Sequence, residues 1–203
     1  LEADLCQIFT DVDGVYTCAP RVVQSAKKLE DISYDEMLEL ASLGAKVMQS
    51  RSVEFAKKFG VVFEVRSSLN DNPGTIVKEE TKSMEDVVIR GVSLDKNQAK
   101  ITLVGVPDKP GVASLIFQRL ATSAINVDMI VQNISHGTKT PATDLSFTID
   151  KPDVAKALGV IDTMHKEVSF GKVLTDENIG KLSIVGVGMR SHSGVAAKMF
   201  EVL

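Results

Sequence analysis

The sequence predicts an α/β segment that ends a larger sheet, followed by α+β modules of the ferredoxin-like βαββαβ type. Three observations carry this. Residues 1–77 read as strand, loop, two helices and strand. After a strand at 87–94 the pattern runs strand–helix–strand–strand–helix–strand, the order of a ferredoxin-like sandwich. Finally, ITLVGVPDKPGVASLIF (101–117) returns as LSIVGVGMRSHSGVAAKMF (182–200). Each has a β-branched run ending in Val-Gly-Val, a polar loop, and a Gly-Val-Ala that opens an amphipathic stretch closing on Phe. Gly111 to Phe117 has the same spacing as Gly194 to Phe200, and the second loop is two residues longer. So close a match points to a repeated module rather than to two βα joints alike by chance.

The elements follow in order. LCQIFT (5–10) is a strand running into the loop DVDGVYTCAPR, punctuated by Asp13-Gly14 and Pro20. Ser33 and Glu36 make an S-x-x-E capping box, and Met37, Leu38, Leu40, Ala41 and Val47 follow with helical spacing. Gly44 interrupts them, which predicts two helices or a kink. The second helix, about 50–59, ends at Gly60 in the C′ position. VVFEVRS is a strand and LNDNPGT a turn-rich exit. KEETKSMED (78–86), nearly free of apolar residues, is the expected linker. VVIRGVSL and AKITLVGV are strands on either side of a DKNQ turn. GVASLIFQRLATS is a helix with Val112, Leu115, Ile116 and Leu120 on one face. INVDMIVQNIS is a strand, HGTKTPAT a polar loop, and DLSFTID an alternating strand. PDVAKALGVIDTMHKEV is a helix with Pro152 near its start, where a missing N–H costs nothing, and a further strand lies near KVL. KLSIVGVGM then begins the module again, and the sequence stops in its first helix.

With 203 residues the chain is ample for a hydrophobic core. Its 44% hydrophobic and 25% charged residues are ordinary for a soluble globular protein. A net charge of -4, without a Lys/Arg-dense stripe interleaved with aromatics, argues against nucleic acid as a partner. A phosphate-bearing small molecule needs only local positive charge and stays open. Cys6 and Cys18 are too few for a disulfide framework or a CxxC metal site, and read as reduced thiols of a cytosolic protein. No apolar run approaches the length of a membrane span, and the first residues lack a leader pattern. Leu1-Glu2-Ala3-Asp4-Leu5, without a Met, reads as the interior of a longer chain.

The repeated joint suggests chemistry. A helix opening after VPDKPG leaves its first N–H groups without intrahelical partners. A carboxylate there gains about 0.3–1 kcal/mol, and up to about 2 kcal/mol when partly buried. Gly111 lets a ligand approach the backbone and Asp108 offers a place for an ammonium, which together suit a free α-amino acid. The same Asp108-Lys109-Pro110-Gly111 is also a β-turn of favoured residues, and spacing alone favours that simpler reading. Asp11 and Asp13 have the place to meet a ribose or a metal and Lys46 a phosphate, but solvated loop charges are the default. No GxxxxGK[ST] or GxGxxG occurs, so this chain has no phosphate cradle of those kinds. His136, His165 and His192 are scattered, and no catalytic residue follows from spacing.

FTDVDGVYTCAPRVV and ISYDEMLELASLGAKVMQSRSVEFAKKFGV resemble the C-terminal end of the aspartokinase kinase domain. ITLVGVPDKPGVASLIFQRLATSAINVDMIVQNIS and GKLSIVGVGMRSHSGVAAKMFEVL resemble the paired ACT modules of the same family. The resemblance covers nearly the whole chain in the right order. It implies that 1–77 ends an amino-acid-kinase-type sheet, that 78–86 is a linker, and that 87–174 is a first ACT module. Residues 87–94 have the alternative of pairing into a second module, whose truncated start is 175–203. It also implies an ATP site at Thr10, Asp11, Tyr16 and Arg21, with Lys46 and Val47 from Gly-Ala-Lys-Val. ATP with Mg is then co-substrate of a whole enzyme that phosphorylates aspartate, the first step of lysine, threonine and methionine biosynthesis. Lysine and/or threonine are the implied allosteric effectors, bound where two modules meet. Their contacts map to Asp108, Lys109, Pro110, Gly111, Val112 and Ala113, to Asn126, Val127, Asp128 and Gln132, and to Val195 and Ala196.

The chain departs from the family at Cys18-Ala19-Pro20-Arg21, where the family carries Asp before Pro-Arg. The Lys-Phe-Gly-Gly-Thr-type opening, the aspartate-binding residues and the end of the second ACT module are absent, and no Gly-Gly pair occurs. The expectation is therefore a cytoplasmic, non-membrane piece that does not catalyse alone and forms a homodimer or higher assembly through its ACT modules. The alternative is a non-catalytic regulatory ACT subunit beginning at Met84. Residues 1–77, which such a subunit would not need, stand against it.

Overall fold

The computed structural model describes residues 5–44, 47–80, 88–134, 142–165, 167–190 and 192–203. The chain forms two compact units, Leu1–Asp95 with Leu182–Leu203, and Lys96–Lys181.

In the first unit, β1 (Cys6–Thr10) runs parallel to β3 (Phe63–Ser67). β3 pairs antiparallel with β4 (Thr75–Lys78), which runs parallel to β2 (Asp31–Ser33). β2 and β4 are too short for their alternation to stand out in sequence. Lys78, placed at the head of the expected linker by its charge, is instead the last residue of β4, opposite Ser33. Its ammonium lies 2.9 Å from Asp31, so the charge that suggested a linker is neutralised within the sheet. The rest of the expected linker from Thr81 on lies outside the described residues.

α1 (Tyr34–Ser42) starts at the expected capping box, with Ser33 Oγ accepting from Glu36 N at 3.2 Å. Glu36 Oε2 in turn accepts from Ser33 N at 3.2 Å. The helix stops before Gly44, whose φ of +103° is left-handed, so the break gives two helices rather than a kink. α2 (Ser50–Phe59) ends on Gly60 at φ 63°. The i, i+3, i+6 set of Tyr34, Met37 and Leu40 packs with Val53, Phe63, Val65 and Val77 to make the core. The remaining strand pair joins β5 (Gly91–Asp95) to β10 (Lys181–Val185), and α5 (Val195–Val202) ends the chain.

The second unit holds β6 (Gln98–Pro107), α3 (Val112–Thr122), β7 (Ile130–Ile134), β8 (Ala142–Asp150), α4 (Val154–Met164) and β9 (Val173–Asp176). The antiparallel sheet has the order β7-β8-β6-β9, the ferredoxin-like arrangement expected for βαββαβ. Ile116 and Leu120 of α3 and Ala157 and Ile161 of α4 bury against Ile101, Leu103, Leu145 and Phe147. Pro152 sits in a 3₁₀ turn (Lys151–Asp153) that leads into α4. The strand expected from 125 begins only at Ile130. Ala124 turns left-handed at φ 50°, and Ile125 is drawn into the core before the chain can join the edge of the sheet.

Candidate functional site

A concave pocket of about 470 Å³ opens in the first unit. Three segments line it: the loop after β1 from Asp11 to Val22, the end of α1 and the turn beyond (Leu40, Gly44, Val47), and Val92, Ser93 and Leu94 of β5. Asp11, Tyr16, Arg21 and Val47, all expected at a site, line this one cavity. Thr10 ends β1 beside them, its hydroxyl donating to Asp11 Oδ1 at 3.1 Å, without itself lining the cavity. Lys46 lies outside the described residues. The β5 residues were missed in sequence, because alternation marks a strand but not what it is laid against.

The loop is held by buried contacts. Thr75 Oγ1 accepts from Val15 N at 2.8 Å and donates to Leu29 O at 2.6 Å. Gly14, at φ +145°, comes so close to Thr75 that an added Cβ would lie 2.6 Å from its Oγ1. The chain returns on itself through Thr17 N to Lys27 O and Leu29 N to Val15 O, each 2.8 Å. Tyr16 donates its phenol proton to Asp13 Oδ1 at 2.6 Å. That bond holds the Asp13 carboxyl below its usual range, ahead of its own backbone and Lys28 and against the effect of burial. The same bond, with burial, raises the Tyr16 phenol. Asp13, one of the candidates for a ribose or metal, is thus already engaged by Tyr16 and by Lys28 at 3.6 Å. Arg21 lies 3.6 Å from Asp11 with both side chains largely in solvent, a weak pair that leaves the guanidinium free to meet an anion. Ala19 lines the pocket with a methyl group, at the position where the resemblance leads to the expectation of Asp.

In the second unit the DKPG stretch is a turn, with Lys109 N donating to Pro107 O at 2.9 Å and Val112 N to Lys109 O at 3.3 Å. It also leaves an open helix start. Gly111 caps α3 at φ 92° with no side-chain cap, and a Cβ there would meet nothing within 4 Å. Asp108, Lys109, Pro110 and Asn126 are exposed, while Val112, Ala113 and Val127 are half-buried. Asp128 is ion-paired with Lys181, a partner that sequence reasoning missed. Gln132 Nε2 donates to Thr143 Oγ1 at 3.2 Å. Val195 and Ala196 belong to the first unit, where they open α5. Their cap, Gly194, has φ 90° and is likewise open, so the repeated phrase folds into a repeated joint. Among the described residues no three His, Cys, Asp or Glu side chains converge as a metal site, and no helix is long and apolar enough to cross a membrane.

Residues 1–66 match the model of the amino acid kinase family, and residues 101–164 with 182–203 match an ACT domain. The class is thus the end of an amino-acid-kinase sheet joined to ACT modules. An aspartate kinase of Pseudomonas putida is 50% identical over the whole chain, which spans 49% of that protein. Aspartokinase III of E. coli has been solved with aspartate and ADP; it superimposes with a TM-score of 0.79 at 27% identity, over 99% of this chain and 44% of that one. The ligand-free regulatory subunit of Thermus thermophilus aspartate kinase is 37% identical with a TM-score of 0.51, over 57% of this chain and 74% of the subunit. The chain belongs to the aspartokinase family. It spans about half the length of the curated relatives it matches.

Proposed function

We propose that the chain is the nucleotide wall and regulatory portion of a cytoplasmic, oligomeric aspartate kinase, inhibited by lysine and/or threonine. The whole enzyme transfers the γ-phosphoryl group of ATP to the β-carboxylate of aspartate, giving 4-phospho-L-aspartate. The observation that carries the reading is one cavity lined by Asp11, Tyr16, Arg21 and Val47 in a member of this family. The E. coli enzyme's capture of ADP supports it, and a further structure of that enzyme, with lysine and aspartate, supports an amino-acid effector.

Phosphoryl transfer rests on positioning and on stabilising charge at the phosphates. Arg21 supplies a solvent-exposed cation at the pocket, while the Tyr16–Asp13 bond fixes the loop that carries it. Among the described residues no three His, Cys, Asp or Glu side chains converge to hold a magnesium ion. The uncapped starts of α3 and α5 suit an effector carboxylate and Asp108 suits its ammonium. Effector binding then favours a state in which the nucleotide wall is misplaced, a coupling of about 1–3 kcal/mol. The regulatory-subunit alternative is less supported, because the Thermus subunit corresponds to only 57% of this chain and the kinase family model matches from residue 1. Met84 lies outside the described residues.

Calorimetric titration of the chain with ADP tests the nucleotide reading. ADP binds, and Arg21→Ala weakens it by about tenfold, the worth of one charge-assisted hydrogen bond. Equal affinity in the variant would remove Arg21 from the site.

A further inference from the structure

The pocket's walls come from distant parts of the chain, yet both are fastened to the same strand. Ser93, 7% exposed, donates its hydroxyl to the carbonyl of Leu43 at 2.8 Å. Leu43 is the residue that ends α1, just ahead of Gly44 and Val47. Val92 N donates to the carbonyl of Thr17 at 2.7 Å, between Tyr16 and the Cys18–Arg21 run. Gly91 is pressed into the same seam: an added Cβ would lie 3.1 Å from Leu40 Cδ2 and 3.5 Å from Thr17 O. Beside these fastenings, β5 pairs with β10, and Arg90 N donates to Val185 O at 2.8 Å. Gly186 follows, where an added Cβ would lie 2.4 Å from Val88 O.

We propose that β5 is the positioning strand of the nucleotide pocket, with Ser93 holding the α1 turn and Val92 the Tyr16–Arg21 loop at a fixed separation. The inference rests on the nucleotide reading above and adds residues that neither the sequence motifs nor that reading assigns. Ser93 lines the cavity, but its hydroxyl is already engaged by Leu43. It acts through the Leu43 carbonyl, and its loss lets the turn carrying Val47 drift from the wall that holds Arg21. Because β10 is the other partner of β5, a displacement of β10 reaches both walls together. β10 leads through the 187–190 turn to α5 and its opening residues Val195 and Ala196. One strand therefore gives an event at the α5 joint a mechanical route to the nucleotide.

The test uses the whole chain with two readouts, ADP titration and amide hydrogen exchange, on Ser93→Ala and Ser93→Thr. Ser93→Ala is expected to speed exchange about fivefold to tenfold in segments 14–22, 40–44 and 47–49 and to weaken ADP by a similar factor. Exchange in β1, β3 and the Lys96–Lys181 unit stays as it was. Ser93→Thr, which keeps the hydroxyl, restores both readouts. Unchanged exchange in those segments would overturn the proposal, and so would a loss of protection spread evenly through the first unit, which marks Ser93 as a stability residue only. Failure of the unaltered chain to bind ADP would sink the nucleotide reading instead, and the exchange measurement would still decide whether β5 sets the two walls.

Discussion

Glu64 shows how much of the first unit's behaviour rests on a single carboxylate. It accepts from Gln7 Nε2 at 2.7 Å and from Gly74 N at 2.7 Å, with Arg66 at 3.7 Å. These partners, the Gln7 bond first, hold its carboxyl below the ordinary range against the opposing effect of burial. A carboxylate depressed in the folded state contributes stability that is fully present above its unfolded value. That contribution is lost as pH falls through the folded value. The unit is therefore expected to lose urea resistance as pH drops below about 4.3. Glu64→Gln is expected to flatten part of that slope in denaturation curves taken at several pH values; an unchanged slope would show that other groups carry the acid sensitivity.

At the scale of elements, the start of α1 is where several segments of the first unit are tied together. Glu36 is 2% exposed, yet it closes the capping box and also accepts from Val187 N at 3.2 Å, with Arg90 Nε 3.7 Å away. Arg90 reaches on to Asp31 at 3.5 Å. One residue thus ties α1 to the segments flanking β5 and β10. Glu36→Ala leaves two backbone donors without their acceptor and Arg90 with Asp31 alone, and is expected to cost about 3 kcal/mol in urea denaturation. Glu36→Gln, which keeps an acceptor, is expected to cost clearly less. The capping box was legible in sequence because all its partners lie within one helical turn, as were the breaks at Gly44 and Gly60. The remote partners Arg90 and Val187 were not, since nothing local records a contact across 151 positions. The same reason hid β2 and β4, which have three and four residues, and the lining role of Val92–Leu94. Tyr16 and Arg21 were legible only through resemblance, for their spacing alone describes an ordinary charged loop.

For the whole molecule, the repeated Val-Gly-Val joint is the organising fact. Its first copy opens α3 in the second unit and its second copy opens α5 in the first, each on an uncapped glycine near φ 90°. The second copy follows directly from β10, the partner of the strand that lines the cavity of the first unit. The α5 joint therefore has a covalent and hydrogen-bonded path to that cavity, and the proposed effector and nucleotide sites are expected to be coupled. The most direct measurement is the calorimetric affinity of the chain for ADP, alone and with saturating lysine, threonine or both, with glycine as control and Asp108→Ala as the effector-site variant. Lysine or threonine is expected to shift the ADP dissociation constant by about 5–150-fold, glycine to leave it unchanged, and Asp108→Ala to abolish the shift. An ADP affinity indifferent to both amino acids would contradict the coupling.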